Sequence, residues 1–184
     1  VVIKRGFVVT GRVTDSENRP VVNATVKEHH NYGYRKLEVD TDANGDFALV
    51  GVSDLMMPQV ELVVEAKGMA PQLQTVQLLT PTNSANFVLA QGKIFRGRVA
   101  DEAGNPIPDA VVRTDWCDQI PTRFEWLTHT DADGRFEWDS APAELICFWF
   151  EADGYEVIRD RRMLPDGTDY EIKLTRKDTT AANR

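Results

Sequence analysis

A pattern of residues in the first half of this 184-residue chain returns in the second half. Residues 11–26 run from Gly-Arg-Val-Thr-Asp to Ala-x-Val, and residues 97–112 repeat that run 86 positions later. The segment Thr-Asp-Ala-x-Gly-x-Phe at 41–47 returns at 130–136, 89 positions later. The second copy therefore gains three residues between the two segments, and such changes in length are tolerated in loops. A period this long exceeds that of most solenoid repeats, so each copy is predicted to be a small domain.

Apolar residues alternate with polar ones along both copies, which predicts β-strands. In 60–66 and 146–152 every second residue is apolar, and no segment shows the apolar spacing of a long helix. Turn-forming residues recur about every 8–12 residues, a spacing typical of an antiparallel sandwich or barrel. We therefore expect an all-β chain with two tandem seven-stranded antiparallel β-sandwiches, immunoglobulin-like or transthyretin-like, at 1–91 and 92–177, followed by a disordered tail at 178–184.

Composition and charge argue against two classes of partner. The net charge is −8 and no stripe of lysine and arginine is present, so neither nucleic acid nor an anionic membrane surface is an expected partner. The longest apolar run, 145–150, is far too short to insert across a membrane. The chain begins at Val1 without an initiator methionine or a signal peptide, so we expect a piece of a longer protein.

The repeated residues resemble the carboxypeptidase regulatory-like domain. The shared pattern is Gly-x-Val-x-Asp, a turn with Pro, Ala-x-Val, Thr-Asp-x-x-Gly-x-Phe and, in the second copy, Gly-Tyr. Its carriers are Gly11, Val13, Asp15, Pro20, Ala24, Val26, Thr41, Asp42, Gly45 and Phe47, then Gly97, Val99, Asp101, Pro106, Ala110, Val112, Thr130, Asp131, Gly134, Phe136, Gly154 and Tyr155. The resemblance implies a transthyretin-like sandwich that is a non-catalytic accessory module outside the cytoplasm: secreted, periplasmic or on the cell surface.

The Thr-Asp-x-x-Gly-x-Phe segment makes physical sense as a turn. The carboxylate of Asp42 can accept backbone N–H groups across the turn, and Gly45 supplies a positive φ there. Phe47 then begins the next strand and fills the core. The same roles are expected of the matching residues in the second copy.

Four oxygen-bearing side chains of this turn also have the alternate spacing of a calcium loop: Asp40, Asp42, Asn44 and Asp46. However, Gly51 stands at the twelfth position, where such a loop needs a bidentate glutamate. In the second copy the first position is His129 and the seventh is Arg135. We therefore predict a turn rather than a metal site, and no cofactor.

Catalytic motifs are missing from the sequence. The three histidines, His29, His30 and His129, have no partners at zinc-ligand spacing, and adjacent strand residues point to opposite faces. Neither a Gly-x-Ser-x-Gly elbow, a Walker loop nor a His-Glu-x-x-His motif occurs. The sequence predicts that the chain is not an enzyme.

Tryptophan distinguishes the two copies, because all four tryptophans lie in the second. Trp149 alternates with Phe148 and Phe150, so it should point away from the core. An outward indole can stack on a sugar ring, and Trp116, Trp126 and Trp149 are the candidate carbohydrate platform. The alternative is that Trp149 packs against its own 115–126 segment or a neighbouring domain.

The cysteines and the function remain open at this level. Cys117 and Cys147 could pair in an oxidising compartment or remain reduced as small apolar residues. The leading interpretation is a structural module of a larger extracytoplasmic protein, which positions domains or contacts another protein. The alternative is a carbohydrate-binding module that uses the tryptophans of the second copy.

Overall fold

The computed structural model describes residues 6–29, 37–52, 58–116 and 124–177. Proximity of Cα atoms divides the chain into two compact units, Val1–Gly92 and Lys93–Arg184, called here the first and second unit. All regular secondary structure of the described residues is β-strand, which confirms the all-β class.

The strands number fifteen within the described residues. Those of the first unit are β1 (Phe7–Asp15), β2 (Thr25–Glu28), β3 (Glu38–Asp40), β4 (Asp46–Val52), β5 (Gln59–Ala66), β6 (Met69–Gln77), β7 (Thr82–Ser84) and β8 (Phe87–Leu89). Those of the second unit are β9 (Lys93–Asp101), β10 (Val111–Thr114), β11 (Leu127–His129), β12 (Arg135–Ala141), β13 (Ile146–Glu151), β14 (Ile158–Met163) and β15 (Asp169–Leu174).

Each unit is built from two sheets with a core between them. In the first unit β4, β1 and β7 form one sheet, with β8 also paired to β1, and the order of the other sheet is β3-β2-β5-β6. In the second unit the orders are β12-β9-β15 and β11-β10-β13-β14. The inward residues of alternating strands meet as one buried apolar cluster in each unit, as in a sandwich.

The last strand of the first unit is divided, so its described residues form eight strand segments rather than the seven expected. The register of β1 with β7 continues into that with β8 without a shift. Between them the amide oxygen of the Asn86 side chain accepts the Arg12 backbone N–H at 2.9 Å. A side chain therefore interrupts the ladder where a main-chain bond would otherwise continue it.

The first and last strands of each unit run parallel to one another, unlike the antiparallel pairs around them. Val13 pairs with Phe87 and Asp15 with Leu89 in the first unit. In the second unit β15 pairs with β9 along its whole length. The predicted antiparallel sandwich is thus antiparallel except at this one pairing in each unit.

The core of the second unit is aromatic. Phe95 stacks on Phe148 with ring centroids 4.0 Å apart, and Phe136 lies 5.3 Å from Phe95. In the first unit Phe47 and Phe87 form a tilted pair 6.0 Å apart among aliphatic side chains.

Candidate functional site

The turn before β4 has the predicted structure. The Asp42 carboxylate accepts the backbone N–H groups of Asn44 and Asp46 at 2.8 and 2.9 Å, and Gly45 has a φ of 76°. Phe47 is buried. The matching turn of the second unit repeats these bonds, with Asp131 as the acceptor. The prediction of a turn is confirmed in both units.

The four candidate metal ligands of this turn are engaged in bonds within the protein or exposed on its surface. Arg12 donates two hydrogen bonds to the carboxylate of Asp46, at 2.6 and 2.9 Å, and this bonding lowers the pKa of Asp46. The Thr25 hydroxyl donates to Asp40. Among the described residues, no group of three or more His, Cys, Asp and Glu side chains could hold a metal ion.

Trp126 and Trp138 lie between the two sheets of the second unit, against its core. Trp126 stacks on Trp138 at 4.9 Å with the planes 10° apart, and it meets Phe95 and Phe148 edge-on. Trp138 is buried. Trp126 therefore belongs to the packing of the sandwich.

Trp149 lies on the outer face of the β11-β10-β13-β14 sheet, as the alternation predicts, because Phe148 and Phe150 on either side are fully buried. The guanidinium carbon of Arg113 lies 4.0 Å from the indole centroid, and that of Arg159 lies 3.9 Å from it. β10 and β14 flank β13 on opposite sides, so the two guanidinium groups approach the ring from its two sides. This arrangement is a double cation–π contact.

A β-bulge in β14 places Arg159 over the ring. Phe148 pairs with Arg161 and Phe150 with Ile158, so two residues of β14 oppose Trp149. The extra residue, Asp160, has a φ of 55°, a conformation that aspartate tolerates better than most residues. Bulges of this kind re-aim side chains at functional positions.

The indole N–H has its own partner. Trp149 Nε1 donates to Glu151 Oε2 at 3.1 Å, two residues further along β13. The contacts of Trp149 are therefore with Arg113, Arg159 and Glu151, and residues 117–123 of the alternative 115–126 segment lie outside the described residues.

The matching position of the first unit has different chemistry. Val63 pairs with Lys27 in the register in which Trp149 pairs with Arg113. Val63 is buried, and Lys27 Nζ forms an ion pair with Glu65 Oε2 at 2.7 Å. Here the cation is neutralised by the glutamate of the same face, whereas in the second unit the corresponding glutamate accepts the indole N–H instead.

The structure does not bring the three candidate tryptophans onto one surface. Trp126 faces inward and Trp149 outward, and Trp116 follows β10 with 65% of its surface exposed. Cys147 is buried in β13 and is disulfide-bonded, while Cys117 lies outside the described residues.

A shallow depression of about 370 Å³ lies on the other sheet of the second unit. Its walls carry charges of both signs, among them Arg96, Arg135, Glu137 and Asp169. Arg96 Nε is buried without a hydrogen-bond partner among the described residues and lies 3.9 Å from an oxygen of Asp169, and the two side chains are 43% and 61% exposed. Charges that alternate this closely offset one another.

Two repeated residues have structural roles that sequence reasoning did not assign. The Thr41 hydroxyl accepts the Ala24 N–H at 2.9 Å and donates to the Val21 carbonyl at 2.6 Å. Thr130 makes the same pair of bonds in the second unit. The signal was present, because threonine precedes aspartate in both copies of the motif.

The aspartate that ends each first strand also organises a turn. Asp15 accepts the backbone N–H groups of Glu17 and Arg19, and the Arg19 bond is the main cause that lowers the pKa of Asp15. The pKa of Asp101 is lowered chiefly by a hydrogen bond from the side chain of Asn105.

The family model of the carboxypeptidase regulatory-like domain matches residues 8–90. That range is the first copy of the repeated pattern and covers less than half of the chain. Comparison with curated proteins finds no match.

Several solved structures resemble the chain at low identity. A streptococcal ancillary pilin is 12% identical with a TM-score of 0.41, and the match covers 94% of this chain and 62% of the pilin. A double mutant of the shaft pilin SpaA from Lactobacillus rhamnosus GG is 12% identical with a TM-score of 0.39, covering 95% and 98%. Hydroxyquinol 1,2-dioxygenase from Pseudomonas putida DLL-E4 is 13% identical with a TM-score of 0.38, covering 48% and 58%. The activities and assemblies of these proteins do not transfer to this chain at such values.

Among the described residues, no helix of the length and apolarity needed to cross a membrane is found.

Proposed function

We propose that this chain is a non-catalytic structural module of a larger extracytoplasmic protein, where it positions neighbouring domains or contacts another protein. In this proposal each unit is an independently folding carboxypeptidase regulatory-like sandwich, so that the chain is a tandem pair. The family match over 8–90 supports the assignment of the first unit, and the repeated motif extends it to the second.

The parallel pairing of the first and last strands carries the proposal. Because β8 runs in the same direction as β1, the chain enters the first unit at Phe7 and leaves it beside Asp15, at the far end of β1. A nine-residue strand is roughly 25 Å long. β9 and β15 have the same relation in the second unit. Each unit therefore separates the points where the chain arrives and departs, which suits a spacer between domains.

The same pairing gives each unit a mechanical property. When the two ends of a unit are pulled apart, parallel neighbouring strands slide past one another, so their hydrogen bonds are loaded together. When two antiparallel strands are pulled apart from ends that lie side by side, their hydrogen bonds break one after another. A unit with terminal strands in parallel is thus suited to carry tension along the chain.

The disulfide at Cys147 supports the extracytoplasmic part of the proposal, because disulfides persist in oxidising compartments. Carbohydrate recognition has weaker support. Both sides of the Trp149 ring are occupied by guanidinium groups, and Trp126 faces the core, so a sugar would have to displace existing contacts.

Single-molecule force spectroscopy on the intact chain tests the proposal. Pulling from the two termini should give two separate unfolding events, one for each unit. The matched control places the handles on Glu17 and Asn44, two exposed turn residues near the end of the first unit where Arg12 pairs with Asp46.

Pulling on those control positions separates β1 from β4 one bond at a time, so unfolding should require a clearly lower force than pulling from the termini. A single unfolding event, or equal forces in the two geometries, would contradict the proposed role.

A further inference from the structure

The outer face of the β11-β10-β13-β14 sheet carries a row of side chains across four strands. Leu127 pairs with Arg113 and Arg113 with Trp149, and the β14 bulge brings Arg159 over the ring. These four residues are called here the arginine–tryptophan stripe. Leu127 is 57% exposed, and Arg159 is also exposed.

The guanidinium groups of the stripe retain their hydrogen-bonding capacity. Within the described residues, neither Arg113 nor Arg159 has an ion pair or a hydrogen bond from its side chain; their contact is with the indole. A guanidinium that lies flat on an aromatic ring leaves its in-plane N–H groups directed outward. The nearby Glu151 accepts the indole N–H through Oε2 and, among the described residues, forms no ion pair with either arginine.

The matching face of the first unit has no cation whose hydrogen-bonding capacity is available in this way among the described residues. The matching cation, Lys27, is bound to Glu65, and the matching Val63 is buried. The framework therefore does not require the stripe. Where the first unit has valine, the second has Trp149, and its indole N–H bonds to Glu151. In the described part of the chain, Arg113 therefore forms no ion pair of the kind that Lys27 forms with Glu65.

The chemistry of the stripe selects its ligand. Planar guanidinium forks bind carboxylates through two parallel hydrogen bonds. Each guanidinium carbon lies within 4.0 Å of one ring centroid, so the two carbons are separated by at most twice that distance. Alternate side chains of an extended peptide lie about 6.6 Å apart on one face, which fits this separation.

We propose that the arginine–tryptophan stripe binds an extended acidic segment of a partner protein, with carboxylates at alternate positions held by Arg113 and Arg159. Leu127 lies at the end of the stripe and contacts an apolar side chain of the same segment. This inference rests on the proposed contact function and specifies the chemistry of the partner.

Fluorescence anisotropy with the intact chain tests the inference. The probe is a labelled peptide of alternating glutamate and serine, titrated at low ionic strength, and the matching lysine–serine peptide is the charge control. Saturable binding of the acidic peptide that weakens with added salt is expected, because the contacts are ionic.

The critical variant is Arg113→Gln with Arg159→Gln, for which we expect at least about a tenfold loss of affinity. The matched control is Arg96→Gln with Arg135→Gln, which makes the same change in net charge on the other sheet of the unit and should alter affinity by less than about twofold. Arg113→Lys with Arg159→Lys retains the charge but loses the planar guanidinium that forms two parallel hydrogen bonds. An intermediate loss of affinity is therefore expected. Circular dichroism of each variant verifies that it is folded.

Equal losses in the two glutamine variants would overturn the inference, because binding would then follow net charge alone. So would absence of binding, or binding of polygalacturonate in place of the peptide, which would identify a glycan site. Any of these results leaves the force measurement unaffected, so failure of the stripe and failure of the spacer role can be told apart.

Discussion

At several matching core positions the first unit carries aliphatic side chains where the second carries aromatic rings. Backbone pairing verifies the match: Leu49 pairs with Val9 as Trp138 pairs with Phe95. These pairs include Val9 and Phe95, Leu37 and Trp126, Leu49 and Trp138, Leu62 and Phe148, and Val64 and Phe150. Cores tolerate such exchange when the packing adjusts as a set.

What the units share is the set of residues that bond to the backbone. Threonine, aspartate and glycine of the Thr-Asp-x-x-Gly turn make the same contacts in both. These backbone contacts therefore specify the fold, while the side chains packed inside the units and displayed outside them are free to diverge. The following experiments test that separation.

The largest effect is expected from removing the phenylalanine that follows the turn. Phe136→Ala and Phe47→Ala should each lower the free energy of unfolding by about 3–5 kcal/mol. Phe136 contacts both Phe95 and Phe150, so its loss should lie near the upper end of that range. In urea unfolding, tryptophan fluorescence reports on the second unit alone, since all four tryptophans lie there, and far-UV circular dichroism reports on both.

A surface-like effect of either phenylalanine substitution would contradict the shared framework. A change in the fluorescence transition caused by Phe47→Ala would instead contradict the proposed independent folding of the units, because that substitution lies in the other unit.

The next effect concerns the threonine hydroxyl, where the two units should respond alike. Thr41→Val and Thr130→Val keep the shape of the side chain but leave a buried N–H and a buried carbonyl without this partner. Each should cost about 1–3 kcal/mol of unfolding free energy. Chemical denaturation of the two variants gives the comparison, and a large inequality would mean that one unit does not depend on this bond.

A smaller effect is expected when residues of the arginine–tryptophan stripe are replaced by those found at the matching positions of the first unit. Trp149→Val should cost about 1–2 kcal/mol, because the indole is half-buried and loses two cation–π contacts. Adding Arg113→Lys should recover part of that loss, since the new ammonium group can pair with Glu151 as Lys27 pairs with Glu65. Thermal unfolding of the single and double variants measures the recovery, and a further loss in the double variant would contradict the matched geometry.

The smallest expected effect is on how the stability of the protein depends on acidic pH. The pKa values of Asp15 and Asp101 are lowered in the folded state, so both groups stabilise the protein above their unfolded pKa of about 3.9. That contribution is lost as the pH falls through the folded pKa. Asp15→Asn and Asp101→Asn should therefore reduce stability at neutral pH, and the difference from the parent should shrink toward pH 3. A difference that is constant with pH would exclude the carboxylate charge as its cause.

Local patterns were sufficient to predict the turns and the side of the sheet on which Trp149 lies. Gly45 and Asp42 act within their own turn, and alternation with Phe148 and Phe150 fixes the side of Trp149. These predictions succeed because each depends on neighbours only a few positions away along the chain.

The contacts of Trp149 could not be predicted in the same way. Arg113 and Arg159 come from two other strands, and the second reaches the ring only because of the bulge at Asp160. Likewise, the stacking of Trp126 on Trp138 joins the two sheets of the sandwich. Contacts between strands distant in sequence depend on register and bulges, which no local pattern records.

The parallel pairing of the first and last strands also bears on how such a chain can lengthen during evolution. If the last strand ran antiparallel beside the first, the two ends of a unit would meet, and a duplicated copy would emerge next to the point where the chain arrived. With β8 parallel to β1, the chain leaves at the far end of the unit. A tandem duplication therefore appends new residues without reopening an existing sheet. Copy number can then change by recombination alone, and each new copy can diverge on its outer face while its neighbour keeps the ancestral surface.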